Sequence, residues 1–179
     1  TRLTPAAQDL QGTRTYLDDR AGLSLAQIRD TVRRKAKEAR GTWYESGARG
    51  RLALVVVDYL QLMRVRAERG VSRSEAIGEV TRGLKNLAKD EGVVIMLLSQ
   101  LNREVEKRPN KRPVLSDLRD SGEIEQDADI VLMLYRDEYY NRDTRLKGIA
   151  EVLVEKQRNG EPAKRIFCRW QGAYTLLSE

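Results

Sequence analysis

The sequence predicts an α/β fold, in which a mostly parallel sheet is flanked by helices and an antiparallel hairpin follows near the C-terminal end. Three observations predict this fold. The continuous apolar runs LALVVV and VVIMLL are typical of strands buried on both faces of a parallel sheet. A helical pattern separates the two runs, as in a strand, helix and strand crossover. Alternating segments on either side of Asn159 and Gly160 indicate the hairpin.

Composition restricts the classes of protein to consider. The 179 residues, 40% of them hydrophobic, suit one globular domain, and the net charge of +6 favours a polyanionic partner such as nucleic acid. The absence of histidine and the single cysteine, Cys168, exclude a histidine-activated nucleophile, an internal disulfide and a zinc cluster. No apolar run is long enough to cross a bilayer and the first residues lack a signal-peptide core, so we expect a cytoplasmic protein without membrane contact.

The first part of the chain predicts a strand, a helix and a second strand. The segment RTYLDDR, residues 14 to 20, has the pattern of a short strand. Ser24 and Gln27 have the spacing of a capping box, so a basic amphipathic helix begins there. A glycine-rich connection over residues 41–51 then leads to the strand that ends at Asp58.

The middle of the chain predicts a second helix and a third strand. Residues 64–73 form a basic loop, and Ser72 with Glu75 supplies another capping box. Gly92 lies where a glycine commonly ends a helix, and residues 93–99 form the strand. The apolar stripe of the helix comprises Ile77, Val80, Leu84 and Leu87.

The last part of the chain predicts the rest of the sheet. Residues 101–122 form a polar loop with a short helix near its end, and ADIVLMLYR supplies a buried strand. Residues 137–148 form a loop, the hairpin covers residues 149–170, and AYTLL closes the sheet edge.

Polar residues end two of the predicted parallel strands. Asp58 ends one strand, where a rigidly supported carboxylate could hold Mg²⁺; alternatively, it caps the next turn. Gln100 ends the other strand, where a neutral amide could contact a γ-phosphate or an attacking water; alternatively, it bonds to the adjacent loop. Because ligands of open α/β sheets bind at the carboxyl ends of the strands, both residues are candidate site residues.

Two cations occur together on the predicted hairpin. Lys156 and Arg158 are two residues apart on a strand, so their side chains point to the same face, about 6 to 7 Å apart. Such a pair could contact one polyphosphate, and an arginine supplied by a neighbouring subunit could stabilise phosphoryl transfer. Alternatively, both are ordinary solvated cations.

The loop over residues 101–122 is rich in cations and poor in aromatic residues. It could therefore grip a nucleic-acid backbone in a salt-sensitive manner, or it could be a solvated loop. Acidic residues are frequent between residues 117 and 129. They could be the metal ligands of a two-metal nuclease, but we favour the interpretation that they cap helices and pair with neighbouring arginines. The cations of the loop are Arg103, Lys107, Arg108, Lys111, Arg112 and Arg119.

Several long motifs follow one another in a known order. They are YLDDRAGLSLAQIRDTVRRKAKE, VVVDYLQLM, EAIGEVTRGLKNLAKDEGVVIMLLSQLNREVEKR, LSDLRDSGEIEQDADIVLMLYR and VEKQRNG. Together they resemble the RecA-type motor domain of bacterial replicative DNA helicases, the DnaB family, over nearly the whole chain. The resemblance implies a RecA-like P-loop NTPase fold and an ATP-dependent DNA helicase.

The resemblance also implies roles in ATP hydrolysis. Asp58 resembles the Walker B aspartate that organises Mg²⁺, and Gln100 resembles the glutamine that couples the nucleotide state to the DNA-binding loops. Lys156 and Arg158 match a KxR pair that reaches the ATP of a neighbouring subunit, with Arg158 as the arginine finger.

Further roles implied by the resemblance concern DNA and assembly. Arg119, Asp120 and Gly122 fall on the loop that in this family follows single-stranded DNA through the central channel. The resemblance implies a hexameric ring of identical subunits, with primase and a helicase loader as partners of the parent protein.

The sequence departs from the family pattern in one respect. It contains no G-x-x-x-x-G-K-[ST] motif, and the catalytic glutamate of the family is expected upstream of Thr1. Residues 1–179 are therefore expected to be a partial ATPase domain, without the P-loop and the primase-binding domain, and inactive alone. Two alternatives remain: a non-catalytic DNA-binding or assembly module, and a RecA-like or RadA-like recombination or repair ATPase.

Overall fold

The computed structural model describes residues 13–42, 49–65, 70–118, 121–161 and 164–179. In these ranges the helices are α1 (Leu25–Arg40), α2 (Arg73–Glu91), α3 (Ser121–Asp127) and α4 (Asp137–Tyr140). The strands are β1 (Leu54–Val57), β2 (Val94–Leu97), β3 (Ile130–Tyr135), β4 (Ile149–Gln157), β5 (Lys164–Gln171) and β6 (Leu176–Ser178). Single 3₁₀ turns cover Leu60–Leu62, Arg103–Lys107, Leu115–Asp117 and Gly172–Tyr174.

Both long helices begin and end for reasons that are local in the sequence. Reciprocal capping boxes, Ser24 with Gln27 and Ser72 with Glu75, satisfy the first free amides of α1 and α2. Gly92 ends α2 in the left-handed conformation, with φ of 65°, which a glycine adopts without steric cost. The apolar stripe predicted for α2 is buried, and the amphipathic α1 buries Ile28, Val32 and Ala36 and half-buries Leu25.

The strands form one parallel pair and one antiparallel sheet. The register of β1 and β2 runs from Leu54 opposite Val94 to Val57 opposite Leu97. The other sheet has the order β3, β4, β5, β6, with every neighbouring pair antiparallel. The predicted α/β class and the predicted hairpin are confirmed. Among the described strands, β1 and β2 pair in parallel, and the other neighbouring strands pair antiparallel.

One prediction about these strands is wrong, because they are not buried on both faces. Alternate residues of β1, β2 and β3 pack on the core, and the others are exposed. Leu132 is 52% exposed and Val94 is 62% exposed. The core lies on the face where α1 and α2 supply Ile28, Ile77 and Leu87. No described helix or strand covers the opposite face, so its apolar side chains remain exposed.

Other segments differ from the sequence prediction in smaller ways. Residues 14 to 20 do not form a strand, because the described residues offer them no pairing partner, and Leu17 is 92% exposed. The predicted loop over residues 137–148 opens with the single turn α4, and the loop over residues 101–122 contains two 3₁₀ turns. The predicted edge strand is confirmed as β6. Much of residues 41–51 and 64–73 lies outside the described residues.

Candidate functional site

The carboxyl ends of β1 and β2 stay side by side beyond the strands. The amide of Leu98 donates to the carbonyl oxygen of Val57 over 3.0 Å, and the amide of Leu60 donates to the carbonyl oxygen of Leu98 over 2.9 Å. Asp58 lies between these contacts and its side chain is exposed. It does not cap the following 3₁₀ turn, and its carboxylate has no hydrogen-bond partner among the described residues. An exposed, rigidly supported carboxylate fits a hard cation such as Mg²⁺.

Gln100 is held at the same edge by its backbone. Its amide donates to Oε1 of Gln61 over 3.3 Å, and Nε2 of Gln61 donates to Oγ of Ser99 over 3.0 Å. The Gln100 side chain is exposed and makes no hydrogen bond within the described part of the chain. Gln61 was not predicted as a site residue. The available signal was a polar residue within the apolar stretch that follows Asp58.

Lys156 and Arg158 lie together at the end of β4, as their spacing predicted. Nζ of Lys156 donates to the carbonyl oxygen of Glu125, and the Arg158 guanidinium donates to the carbonyl oxygen of Gln126 over 2.7 Å. These carbonyls belong to the last turn of α3, where the helix dipole is negative. Lys156 is half-buried and therefore is not an ordinary solvated cation, whereas Arg158 is exposed.

Asp129 connects this cation pair to helix α2. Its carboxylate bonds to Nζ of Lys85, and Nε of Arg158 lies 3.6 Å from Oδ1. The hydrogen bond from Lys85 is the main cause that lowers the pKa of Asp129, and the charges of Lys85 and Arg158 lower it further. The start of β3, the end of β4 and α2 are thus joined by one charged network.

Of the three residues predicted to contact DNA, the structure describes Gly122. Arg119 and Asp120 lie outside the described residues. Gly122 is exposed in the first turn of α3, and a Cβ atom added there would meet nothing within 4 Å. The fold therefore does not require a glycine at this position.

Four of the loop cations, Lys107, Arg108, Lys111 and Arg112, make hydrogen bonds within the protein, and the two arginines bond to buried carboxylates. Arg108 donates to Asp117 over 2.5 Å, and Arg112 donates two hydrogen bonds, of 2.9 and 2.6 Å, to the buried carboxylate of Glu151. The hypothesis of a wholly solvated loop is therefore wrong for Arg108 and Arg112. The Arg112 pair fixes the segment that follows Gln100 onto β4 of the antiparallel sheet, and the Arg108 pair joins two parts of that segment.

The acidic residues between 117 and 129 serve mainly as structural partners. Asp127 accepts a hydrogen bond from Thr81 over 2.5 Å, and Glu123 pairs with Arg82 over 2.7 Å. Across the described ranges, no group of three or more histidine, cysteine or acidic side chains is arranged to hold a metal ion. The interpretation as helix capping and arginine pairing is preferred over the two-metal nuclease.

An aromatic cavity of about 320 Å³ adjoins the carboxyl end of β3. Leu101, next to Gln100, contributes to its wall, and the Arg136 guanidinium lies 4.6 Å from the centre of the Trp170 ring. Burial is the main cause that raises the pKa of Tyr135, in the same wall, to about 12, with a further contribution from its hydrogen bond to Asp137. This cavity was not predicted from the sequence.

The carboxyl ends of the parallel strand pair carry an exposed carboxylate and an exposed amide, at the edge where open α/β sheets bind their ligands, and the end of β4 carries two cations. The comparisons with known proteins specify the class. Residues 1–179 match the family model described as the DnaB-like helicase C terminal domain, and the chain belongs to this family. In the described part of the chain, no helix has the length and apolar character needed to cross a bilayer.

Curated relatives and solved structures agree with this assignment. The replicative DNA helicase DnaB of Buchnera aphidicola subsp. Acyrthosiphon pisum is 48% identical over 145 residues, which are 81% of this chain and 29% of the relative. That of Haemophilus influenzae is 44% identical over 165 residues, which are 92% of this chain and 33% of the relative. The chain thus spans about a third of the length of these relatives.

Two solved structures superpose on nearly the whole chain. One, described as an ATPase domain, matches with a TM-score of 0.87 and 36% identity, over 99% of this chain and 58% of that one. A DnaB-like replicative helicase, described with its interactions with primase, matches with a TM-score of 0.86 and 36% identity, over 99% of this chain and 40% of that one.

Proposed function

We propose that the chain is part of a ring-forming replicative DNA helicase, which couples ATP hydrolysis to movement along single-stranded DNA and to duplex unwinding. One observation carries the proposal: Asp58 and Gln100 present exposed side chains, without hydrogen bonds to the described residues, at one edge of the parallel strand pair. The family of the chain supplies the context, because its relatives are replicative DNA helicases.

At this edge, we propose that Asp58 binds Mg²⁺ and that ATP is the nucleotide. When bound, Mg²⁺ would neutralise charge on the phosphates. The Asp58 carboxylate would bind the ion through its water shell, because one carboxylate suits a cation that retains most of its waters. Gln100 would orient the attacking water with its neutral amide, without adding negative charge near the γ-phosphate.

The aromatic cavity beside Gln100 supports nucleotide binding at the same edge. Leu101 contributes to the wall of this cavity, so the cavity lies next to Gln100, the residue proposed to orient the attacking water. Trp170 with the Arg136 guanidinium over its ring forms a flat, cationic wall. Such walls bind nucleobases by stacking and by cation–π attraction.

Lys156 and Arg158 are proposed to act on the ATP of the neighbouring subunit in a hexameric ring. Within the chain, the carbonyls at the end of α3 are partners of both cations. These carbonyls carry only partial negative charge, and the Asp129 carboxylate lies 3.6 Å from Arg158, so a polyphosphate with several full charges is a stronger partner. An arginine supplied in this way stabilises charge that develops during phosphoryl transfer.

The DNA-binding role is proposed for Arg119, Asp120 and Gly122, which the family resemblance assigns to one loop; in this chain Gly122 lies in the first turn of α3. A shift of that turn would reach the carbonyls at the other end of α3, which hold Lys156 and Arg158. We propose that the loop follows the backbone of single-stranded DNA in the channel of the ring. Primase and a helicase loader are proposed partners of the parent protein.

Unwinding of a forked DNA duplex by the full-length protein tests this function. Wild-type protein should separate the strands in an ATP-dependent manner. Asp58→Asn should abolish unwinding and leave single-strand binding intact, and Asp143→Asn, on an exposed loop, should behave like wild type. Strand exchange without unwinding would favour the recombination ATPase instead.

The 179-residue chain alone is proposed to lack ATP turnover, because its sequence contains no Walker A motif. Turnover measured with and without single-stranded DNA tests this point. Salt-dependent DNA binding without turnover fits both this proposal and the alternative of a binding module. Turnover that Asp58→Asn abolishes would show that the chain holds a complete phosphate site.

A further inference from the structure

We propose that Gln61 is a positioning residue, which holds Gln100 in place at the edge of the ATP site. This inference rests on the proposed function, because it assigns Gln61 a task through Gln100. Gln61 lies in the 3₁₀ turn Leu60–Leu62, directly after the strand that ends at Asp58. It therefore joins the end of β1, which carries Asp58, to the end of β2, which carries Gln100.

Both polar atoms of the Gln61 side chain are used in this link. Its Oε1 accepts a hydrogen bond of 3.3 Å from the backbone amide of Gln100, and its Nε2 donates one of 3.0 Å to Oγ of Ser99. Because the backbone amide of Gln100 needs an acceptor and Oγ of Ser99 receives a donor, the orientation of the Gln61 side-chain amide is fixed. The Ser99 hydroxyl in turn lies 3.4 Å from the carbonyl oxygen of Gln100, so the contacts form a small closed network.

The base of this link is rigid. Leu60, directly before Gln61, is fully buried, and its amide bonds to the carbonyl oxygen of Leu98 over 2.9 Å. The Gln61 side chain thus projects from a fixed backbone and fixes the backbone of Gln100. The Gln100 side chain, in contrast, makes no hydrogen bond with the described residues and is available for a phosphate or a water.

Gln61 should therefore affect the catalytic step more than the binding of ATP. A displacement of about 1 Å in a catalytic group costs on the order of 100-fold in rate. Loss of the link should misplace Gln100 without removing any group that holds the nucleotide. We expect a lower kcat with a nearly unchanged KM for ATP. We also expect this loss of kcat to occur only when Gln100 is present.

A double-mutant cycle in the full-length protein tests the inference. Gln61→Met keeps the approximate size of the side chain and loses both hydrogen bonds. We expect it to lower the DNA-stimulated kcat by about 10-fold or more, with KM for ATP within about 2-fold of wild type. In a Gln100→Ala background, the same substitution should cause less than about 2-fold further loss.

A matched control exists on the far edge of the other sheet. Nε2 of Gln171 donates to Oγ of Ser178 over 3.2 Å, the same kind of bond between a glutamine and a serine. Gln171→Met should leave kcat unchanged. Ser99→Ala, which removes one of the two contacts of Gln61, gives a second route if Gln61→Met does not fold. Its smaller loss of kcat should also vanish in the Gln100→Ala background.

The outcomes separate this inference from the proposed function. Wild-type kcat in Gln61→Met, or an equal loss with and without Gln100, would overturn the positioning role of Gln61. Wild-type kcat in Gln100→Ala would instead remove the role proposed for Gln100, and the inference would fail with it. A loss that depends on Gln100 supports both.

Discussion

The Arg158 guanidinium donates a hydrogen bond of 2.7 Å to the carbonyl oxygen of Gln126, in the last turn of helix α3. Lys156 makes the equivalent contact with Glu125. The cations proposed to act on a neighbouring subunit thus contact the helix whose first turn carries Gly122. One short helix links the proposed DNA-binding loop to the proposed arginine finger.

These contacts predict different effects on stability for the two cations. Lys156→Met should lower the free energy of unfolding by about 1 kcal/mol, because Lys156 is half-buried and satisfies carbonyls at a helix end. Arg158→Met should have a smaller effect, because Arg158 is exposed. Thermal unfolding of the full-length variants measures this difference. Equal effects, or a larger effect for Arg158, would contradict the assignment.

Gly122→Ala separates folding from DNA binding. The space around Gly122 is open, and alanine is a better helix former, so the variant should be as stable as wild type or more stable by up to about 1 kcal/mol. If a DNA backbone passes close to this residue, the added methyl group should weaken single-strand binding several-fold. Fluorescence anisotropy with labelled single-stranded DNA measures the affinity. Unchanged affinity would remove Gly122 from the proposed DNA contact.

The buried carboxylate of Glu151 predicts a cost for the loss of Arg112. Arg112→Met should destabilise the protein by about 2 to 3 kcal/mol, because it leaves a buried charge with Arg165 as its remaining partner, at 3.2 Å. Arg169→Met, on an exposed position of β5, should change stability by less than about 0.5 kcal/mol. Thermal unfolding of both variants decides the point, and equal stability would show that the pair contributes little.

The exposed apolar face predicts association of the isolated 179-residue chain. Val94 and Leu132 lie on this face, and burying such residues against a second chain removes apolar area from water. Val94→Lys combined with Leu132→Lys should therefore shift the chain toward monomer in sedimentation velocity. Leu17→Lys, outside the sheet, should not. A wild-type chain that is already monodisperse and monomeric would contradict the prediction.

The parts of the fold that were predictable from the sequence depend on local chemistry. The capping boxes at Ser24 and Ser72 and the glycine at Gly92 involve residues within a few positions of one another, so their patterns were sufficient. The paired placement of Lys156 and Arg158 follows from strand geometry alone. The roles of Asp58, Gln100 and Arg158 remain predictions from the family resemblance and the site geometry.

The features that were missed depend on distant parts of the chain. Burial of a strand face depends on which elements cover it, and the sequence of β2 does not contain that information. The strand predicted over residues 14 to 20 lacks a partner in the described part of the chain, which a local pattern cannot reveal. Gln61 acquires its role from Ser99 and Gln100, some 38 residues further along the chain.

ATP turnover by full-length Arg158→Ala, measured beside nucleotide binding, is the most direct test of the central claim. If Arg158 completes the ATP site of a neighbouring subunit, turnover should fall by about 1,000-fold or more, with nucleotide binding still measurable. Arg169→Ala, exposed on the next strand, serves as the control and should retain turnover. Wild-type turnover in Arg158→Ala would contradict the arginine-finger assignment and the shared ATP site built on it.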